Sequence, residues 1–182
     1  MISRLIEDWL TRTTEREYQY PFCQLLLAEG YTILRSPFEH GALERGTDII
    51  SRDKRGRLVT FQLTSGKLTL SQLRAYRGKI EDMVSTRPSH PSIRKYSGHY
   101  AVLVTNGEIA NAALDSVIAM NREARRKKNA ILEVWGKHEL HGKFVHMGEP
   151  FFPFAPRDLE ALLKLYIDNG KGPLPKEEFA EL

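Results

Sequence analysis

The sequence predicts an α/β (α+β) domain built on one central mixed β-sheet flanked by helices. Three observations carry that class. Apolar residues recur at the i, i+3, i+4, i+7 spacing of amphipathic helices in several separate stretches. Between them lie short alternating or continuous apolar runs bounded by turn residues, which read as strands. No internal repeat and no low-complexity tract suggests a solenoid or propeller instead. The predicted order is α-β-β-β-α-β-α-β-α.

Ile2, Leu5, Ile6, Trp9 and Leu10 share one helical face. A second helix runs from about Thr14 to Glu29 and closes at Gly30, a natural residue for the left-handed position after a helix. Pro21 lies inside it and predicts a kink, or a helix restarting with Pro21 in its first turn. Tyr31–Phe38 and Thr47–Asp53 read as strands, Lys54-Arg55-Gly56-Arg57 as a tight turn, and Leu58–Thr64 as a third strand. Residues 47–64 therefore predict a β-hairpin. Along its second strand Val59, Phe61 and Leu63 point one way, predicting core, while Thr60, Gln62 and Thr64 point to a face expected to be wet. Thr69–Val84 is expected to be one helix, followed by a loop with Pro88, His90 and Pro91. His99–Thr105 is an apolar run typical of a strand covered on both faces. Asn106-Gly107 turns the chain into a helix of about residues 108–127, Ala130–Trp135 is a strand, and Lys137–Val145 a short helix. Pro150, Pro153 and Pro156 bracket an aromatic connector, and a last helix carries Leu159, Leu162, Leu163 and Tyr166 before Gly170. Residues 1–170 are thus expected to form one domain, with 171–182 as a fraying tail.

Composition narrows the function. The 182 residues are 41% hydrophobic and 27% charged, enough to bury a core. No apolar run approaches the ~20 residues of a membrane-spanning helix. The amphipathic, acid-containing start Met1–Thr13 fits neither a secretory signal nor a transit peptide. The single cysteine, Cys23, lies in an apolar helix and reads as a buried thiol, making the reducing cytoplasm the expected compartment. Lys and Arg number 27 against 23 Asp and Glu, a net charge of +4 that suits a polyanionic partner. The six histidines lack metal-binding spacing, which argues against zinc. Asn106-Gly107 before a helix is a phosphate-cradle candidate, but the glycine-rich dinucleotide fingerprint is missing.

The hairpin offers a more specific chemistry. Metal-assisted phosphodiester hydrolysis needs hard oxygen donors converging from rigid elements. Asp48 heads one strand in Gly46-Thr47-Asp48-Ile49-Ile50, and Gln62 sits on the polar face of its partner in Phe61-Gln62-Leu63-Thr64-Ser65-Gly66-Lys67. Strand pairing brings the two side chains together. Glu17 or Glu15, from the preceding helix, can reach over the same point, and Glu44 is a further carboxylate nearby in sequence.

These motifs resemble the core of the PD-(D/E)XK nuclease superfamily, in its restriction-endonuclease-like branch with glutamine in place of the second acid. The stretch Glu17–Tyr31, ending in Gly30-Tyr31, resembles that family's leading helix, and Val102–Gly107 a later core strand. The resemblance spans about residues 14–135. It implies that Asp48 is the metal carboxylate, that the Gln62 side-chain oxygen and the Leu63 carbonyl complete the ligands of one or two Mg²⁺ (or Mn²⁺) ions, and that Glu17 (or Glu15) is an added acid. The implied activity is DNA cleavage, in a bacterial restriction or antiviral defence setting. One residue departs from the pattern: Thr64 stands where the family has lysine, and a hydroxyl supplies no positive charge. Lys67, beyond Ser65-Gly66, is the candidate replacement.

On the following helix Gln72 and Tyr76 form a Q-x-x-x-Y pair resembling one that touches DNA in related nucleases. With Arg74, Arg77, Lys79 and Lys67 they predict a phosphate-facing ridge. The expected partner is DNA, with no membrane, and with a homodimer or a larger defence complex containing a motor or sensor protein. The competing reading keeps the fold as a catalytically degenerate module for DNA binding or complex assembly, with Thr64 as its mark.

Overall fold

The computed structural model describes residues 2–36, 47–88 and 99–147. The predicted aromatic connector, last helix, tail, Glu44 and the loop around His90 lie outside the described residues. In chain order the elements are α1 (Ile2–Arg12), α2 (Glu15–Ala28), β1 (Thr32–Arg35), β2 (Ile49–Arg52), β3 (Leu58–Thr64), α3 (Leu70–Ala75), α4 (Arg77–Ser85), β4 (His99–Thr105), α5 (Asn111–Arg126), β5 (Ile131–Trp135) and α6 (Lys137–Met147). The sheet is mixed and five-stranded, in the order β1-β2-β3-β4-β5. β1–β2 and β2–β3 are antiparallel; β3–β4 and β4–β5 are parallel. The fold is therefore of the expected α+β class, helices covering both faces of one mixed sheet. Within this unit, which closes at Met147, no described helix is long and apolar enough to cross a membrane.

Aromatic packing defines one face. Phe61 of β3 meets Phe22 of α2 edge-on at 5.4 Å, Trp135 at 5.5 Å and Tyr31 at 6.0 Å. The opposite face carries Ala101, Leu103 and Leu132 against Leu73, Ile80, Met83, Ala113 and Val117 of α3–α5. Parallel register sets Thr60, Gln62 and Thr64 beside Ala101, Leu103 and Thr105, hence on this second face. All of β3 is buried, so the wet face expected from its alternation does not exist. The reason is topological: helices that follow β3 return over its polar face, and the Thr60 and Thr64 hydroxyls and the Gln62 NH₂ find partners inside the protein instead of in water.

At Pro21 the restart alternative does not occur: α2 runs through the proline. An interior proline costs about 3 kcal/mol, but Tyr18, Phe22, Leu25 and Leu26 on either side are fully buried and each stabilises by roughly 1.5–3 kcal/mol. The helix ends as predicted at Gly30 (φ 83°), where Gly30 N–H and Tyr31 N–H return to the Leu27 and Leu26 carbonyls. The single helix expected over Thr69–Val84 is instead two, broken at Tyr76, whose hydroxyl is hydrogen-bonded by Thr64 Oγ1 at 2.9 Å.

Candidate metal and catalytic site

The site forms where a ladder stops. β2 begins at Ile49, and the Asp48 N–H to Phe61 carbonyl bond (2.9 Å) is the last backbone link across to β3. Two residues further along β3, the Leu63 N–H and C=O overhang the end of β2 and take side-chain partners. Leu63 N–H donates to Asp48 Oδ2 at 2.6 Å. Gln62 Nε2 donates to the same Oδ2 at 2.7 Å and to the Leu63 carbonyl at 3.0 Å. The β2–β3 register and these hydrogen bonds thus gather Asp48, Gln62 and Leu63 around one point at the carboxyl end of β3.

Gln62 Oε1 is the buried side-chain polar atom left without a partner among the described residues, in a side chain only 2% exposed. An unsatisfied buried amide oxygen costs about 1–3 kcal/mol. The amide orientation itself follows from electrostatics. Its NH₂ end lies between a carboxylate and a carbonyl, and turning it round would set a third oxygen against them. A cation between those oxygens reverses the preference. The donor set, a carboxylate, a backbone carbonyl and an amide oxygen, is the hard, all-oxygen kind that Mg²⁺ and Mn²⁺ take. No cluster of three or more His, Cys, Asp or Glu side chains suited to a metal occurs among the described residues, so such a site depends on Gln62 and backbone.

The helix acid facing this point is Glu15. Partial burial and the Asp48 charge push its carboxyl pKa up, against the pull of Lys79 and Arg16. Glu17, the acid carried in the sequence assignment, is engaged elsewhere. Its Oε2 accepts from Thr14 N–H (2.6 Å) and Thr14 Oγ1 (2.8 Å), closing the capping box of α2, and these bonds hold its pKa down. Two residues apart, the acids lie about 200° from each other around the helix, on opposite sides of it.

Lys67 is exposed beyond Gly66, whose φ of 80° swings the chain away after β3. The lysine whose charge acts on Glu15 is Lys79, and its Nζ also stands 5.8 Å from the Tyr76 ring centroid. Thr64 does not face solvent; its hydroxyl is spent on Tyr76. Gln72 closes the capping box of α3, with Thr69 N–H donating to its Oε1 at 2.8 Å. Arg74 is exposed on α3, and Arg77 is paired with Glu81 at 2.7 Å. The Asn106-Gly107 turn is packed shut: Asn106 Nδ2 donates to the Leu10 and Thr13 carbonyls and Oδ1 accepts from Gly66 N–H.

Tyr18 escaped the sequence reading. It is fully buried, with its hydroxyl at the end of β3, and burial together with the Glu15 and Asp48 charges raises its pKa well above the usual phenol value. The available signal was a tyrosine in a helix's core stripe four residues before Phe22, since a buried phenol needs a polar partner.

No family model matches the chain, and no curated protein matches it. Among solved structures, the MspJI restriction endonuclease in complex with a 27-mer oligonucleotide aligns with 89% of this chain at 16% identity and a TM-score of 0.43. This chain spans 33% of that one.

Proposed function

We propose that this domain is a divalent-metal-dependent nuclease acting on DNA, with its site at the Asp48–Gln62–Leu63 junction. The observation that carries the reading is the Gln62 amide, its NH₂ held between the Asp48 carboxylate and the Leu63 carbonyl and its oxygen unpartnered. Asp48, the Leu63 carbonyl and, after rotation of its amide, Gln62 Oε1 would hold Mg²⁺ or Mn²⁺. Such an ion, when bound, offsets phosphate charge and acidifies a water. Glu15, whose pKa is raised by partial burial and the Asp48 charge, would orient a water through its carboxylate. Lys79 supplies the positive charge that Thr64 cannot, stabilising charge developing on the phosphate. Arg74 and Lys67, both exposed, contribute backbone contacts to DNA, with Tyr76 and Arg77 flanking them. A restriction or defence role, in the cytoplasm and with a second copy or a motor or sensor protein, is the setting that the sequence resemblance implies.

The test is cleavage of supercoiled plasmid with Mg²⁺ or Mn²⁺. Wild type is expected to nick or linearise it, and Asp48→Ala and Gln62→Ala to lose activity. Lys79→Ala is expected to lose more than Lys67→Ala; the reverse order would return the cationic role to Lys67. An inactive wild type that binds DNA in a salt-sensitive manner, unchanged by Asp48→Ala, would replace the nuclease reading with the degenerate binding module.

A further inference from the structure

One peptide unit of the candidate site is gripped from both sides. The Leu63 carbonyl and the Thr64 N–H belong to the same rigid plane and point in opposite directions. On the β2 side the carbonyl meets the Gln62 amide at 3.0 Å. On the β4 side the Thr64 N–H donates to the Tyr18 hydroxyl at 3.1 Å, and that hydroxyl donates in turn to the Thr64 carbonyl, with the Val104 carbonyl 3.3 Å away. A tilt of the peptide that turned the Leu63 oxygen away from Asp48 and Gln62 would pull Thr64 off the phenol.

We propose that Tyr18 is a positioning residue for the metal site, its hydroxyl clamping the Leu63–Thr64 peptide so that the Leu63 carbonyl is aimed at Asp48 and Gln62. The role rests on the metal-site reading above. The phenol is itself well fixed: the ring is fully buried and packs edge-on to Phe22 at 6.5 Å and 89°. Tyr18 also sits one turn along α2 from Glu15, so a single rigid helix sets both the acid and the carbonyl. An ordinary core tyrosine would need only one acceptor for its hydroxyl. Here the hydroxyl takes both backbone polar groups of Thr64, the residue whose N–H shares a plane with the Leu63 carbonyl.

The experiment compares Tyr18→Phe with Phe22→Leu, a variant that disturbs the same aromatic packing and leaves every hydroxyl bond in place. Mn²⁺ affinity is measured by calorimetry well below both melting temperatures, with no substrate present. Tyr18→Phe is expected to weaken Mn²⁺ binding about 10-fold or more, the usual effect of losing a group that orients a ligand. Phe22→Leu is expected to lower the melting temperature and leave affinity within about twofold. Equal shifts in the two variants, or no shift in Tyr18→Phe, would overturn the positioning role alone. A wild type that takes up no Mn²⁺ would remove the metal reading and this role with it. Should Tyr18→Phe not fold, exchange of the Thr64 amide in wild type decides: slow exchange, slowed further by Mn²⁺, supports the clamp, and fast exchange indifferent to Mn²⁺ refutes it.

Discussion

Gln62→Glu isolates the electrostatics of the site without changing its shape. In wild type the amide gives two hydrogen bonds, at 2.7 Å to Asp48 Oδ2 and 3.0 Å to the Leu63 carbonyl. A glutamate there sets a second carboxylate against the first. Two full charges ~3 Å apart repel by roughly 5 kcal/mol even at an effective dielectric of 20. The pair avoids this by keeping a proton, which costs 1.36 kcal/mol for each pH unit above the ordinary glutamate pKa. At pH 7 that is about 3.5 kcal/mol, or a fall of about 7–14 °C in melting temperature for a chain of this size. The native state then holds a proton that the unfolded chain has released. Stability therefore declines as pH rises, by up to ~1.4 kcal/mol per unit from about pH 4.5 upward, and flattens only once the folded pair loses that proton. Urea denaturation at pH 5, 6, 7 and 8, with and without Mn²⁺, reads both effects. The variant is expected to diverge from wild type with rising pH and to recover more than wild type on adding Mn²⁺, because it binds the ion with one more negative charge. Parallel pH curves for the two proteins, with no extra rescue by Mn²⁺, would refute the placement of the Gln62 amide between two oxygens.

Three further tests bear on other parts of the structure. Glu15→Gln is expected to lower metal-dependent cleavage about 10- to 100-fold, whereas Glu17→Gln lowers the melting temperature through the α2 cap and leaves cleavage intact; paired plasmid and melting assays separate them. Gly107→Ala puts a Cβ 2.1 Å from the Gly66 carbonyl oxygen and 2.6 Å from Lys67 N, both backbone; denaturation should show a loss of at least ~1–3 kcal/mol. Burial, helped by the Arg87 charge, pushes the His99 imidazole down to about 4, so the unfolded chain binds a proton first as pH falls. Its contribution is whole above about pH 6.5 and is lost toward pH 4, by up to ~3 kcal/mol, and His99→Gln should flatten that part of the acid stability profile.

The parts of this molecule readable from sequence are those set by local pattern. Alternation in Leu58–Thr64, the Lys54–Arg57 turn and the apolar His99–Thr105 run give strands and a hairpin that the structure contains, together with the meeting of Asp48 and Gln62. What escaped depends on tertiary packing. Period-2 alternation says which residues share a face but not whether a later helix covers the polar one, and α3–α5 cover Thr60, Gln62 and Thr64. The break at Tyr76 coincides with a hydrogen bond to a strand residue twelve positions earlier, which no helical periodicity records. The choice between Glu15 and Glu17 turned on a signal that was present: Thr14-x-x-Glu17 is a capping box, and a glutamate closing one has little left to offer a neighbouring site.

The same electrostatics supports the proposed reading of the junction as a cation site. Asp48 is held in place by two donors on one oxygen, one of them a backbone N–H. Hydrogen bonds of this kind stabilise the charged form of a carboxylate. Glu15 adds a second carboxylate, whose pKa is raised by partial burial and then by the Asp48 charge, against the pull of Lys79 and Arg16. The junction gathers two acids, a backbone carbonyl and an unpartnered amide oxygen at the end of a buried strand. In the metal-free protein the Gln62 NH₂ bridges the Asp48 and Leu63 oxygens and leaves its own oxygen unpartnered; a divalent ion at the proposed site would be bound by all three oxygens. Metal uptake should therefore raise stability as well as enable chemistry, in proportion to ln(1 + [M²⁺]/Kd). That dependence makes the melting temperature a direct reading of site occupancy, independent of any nucleic acid.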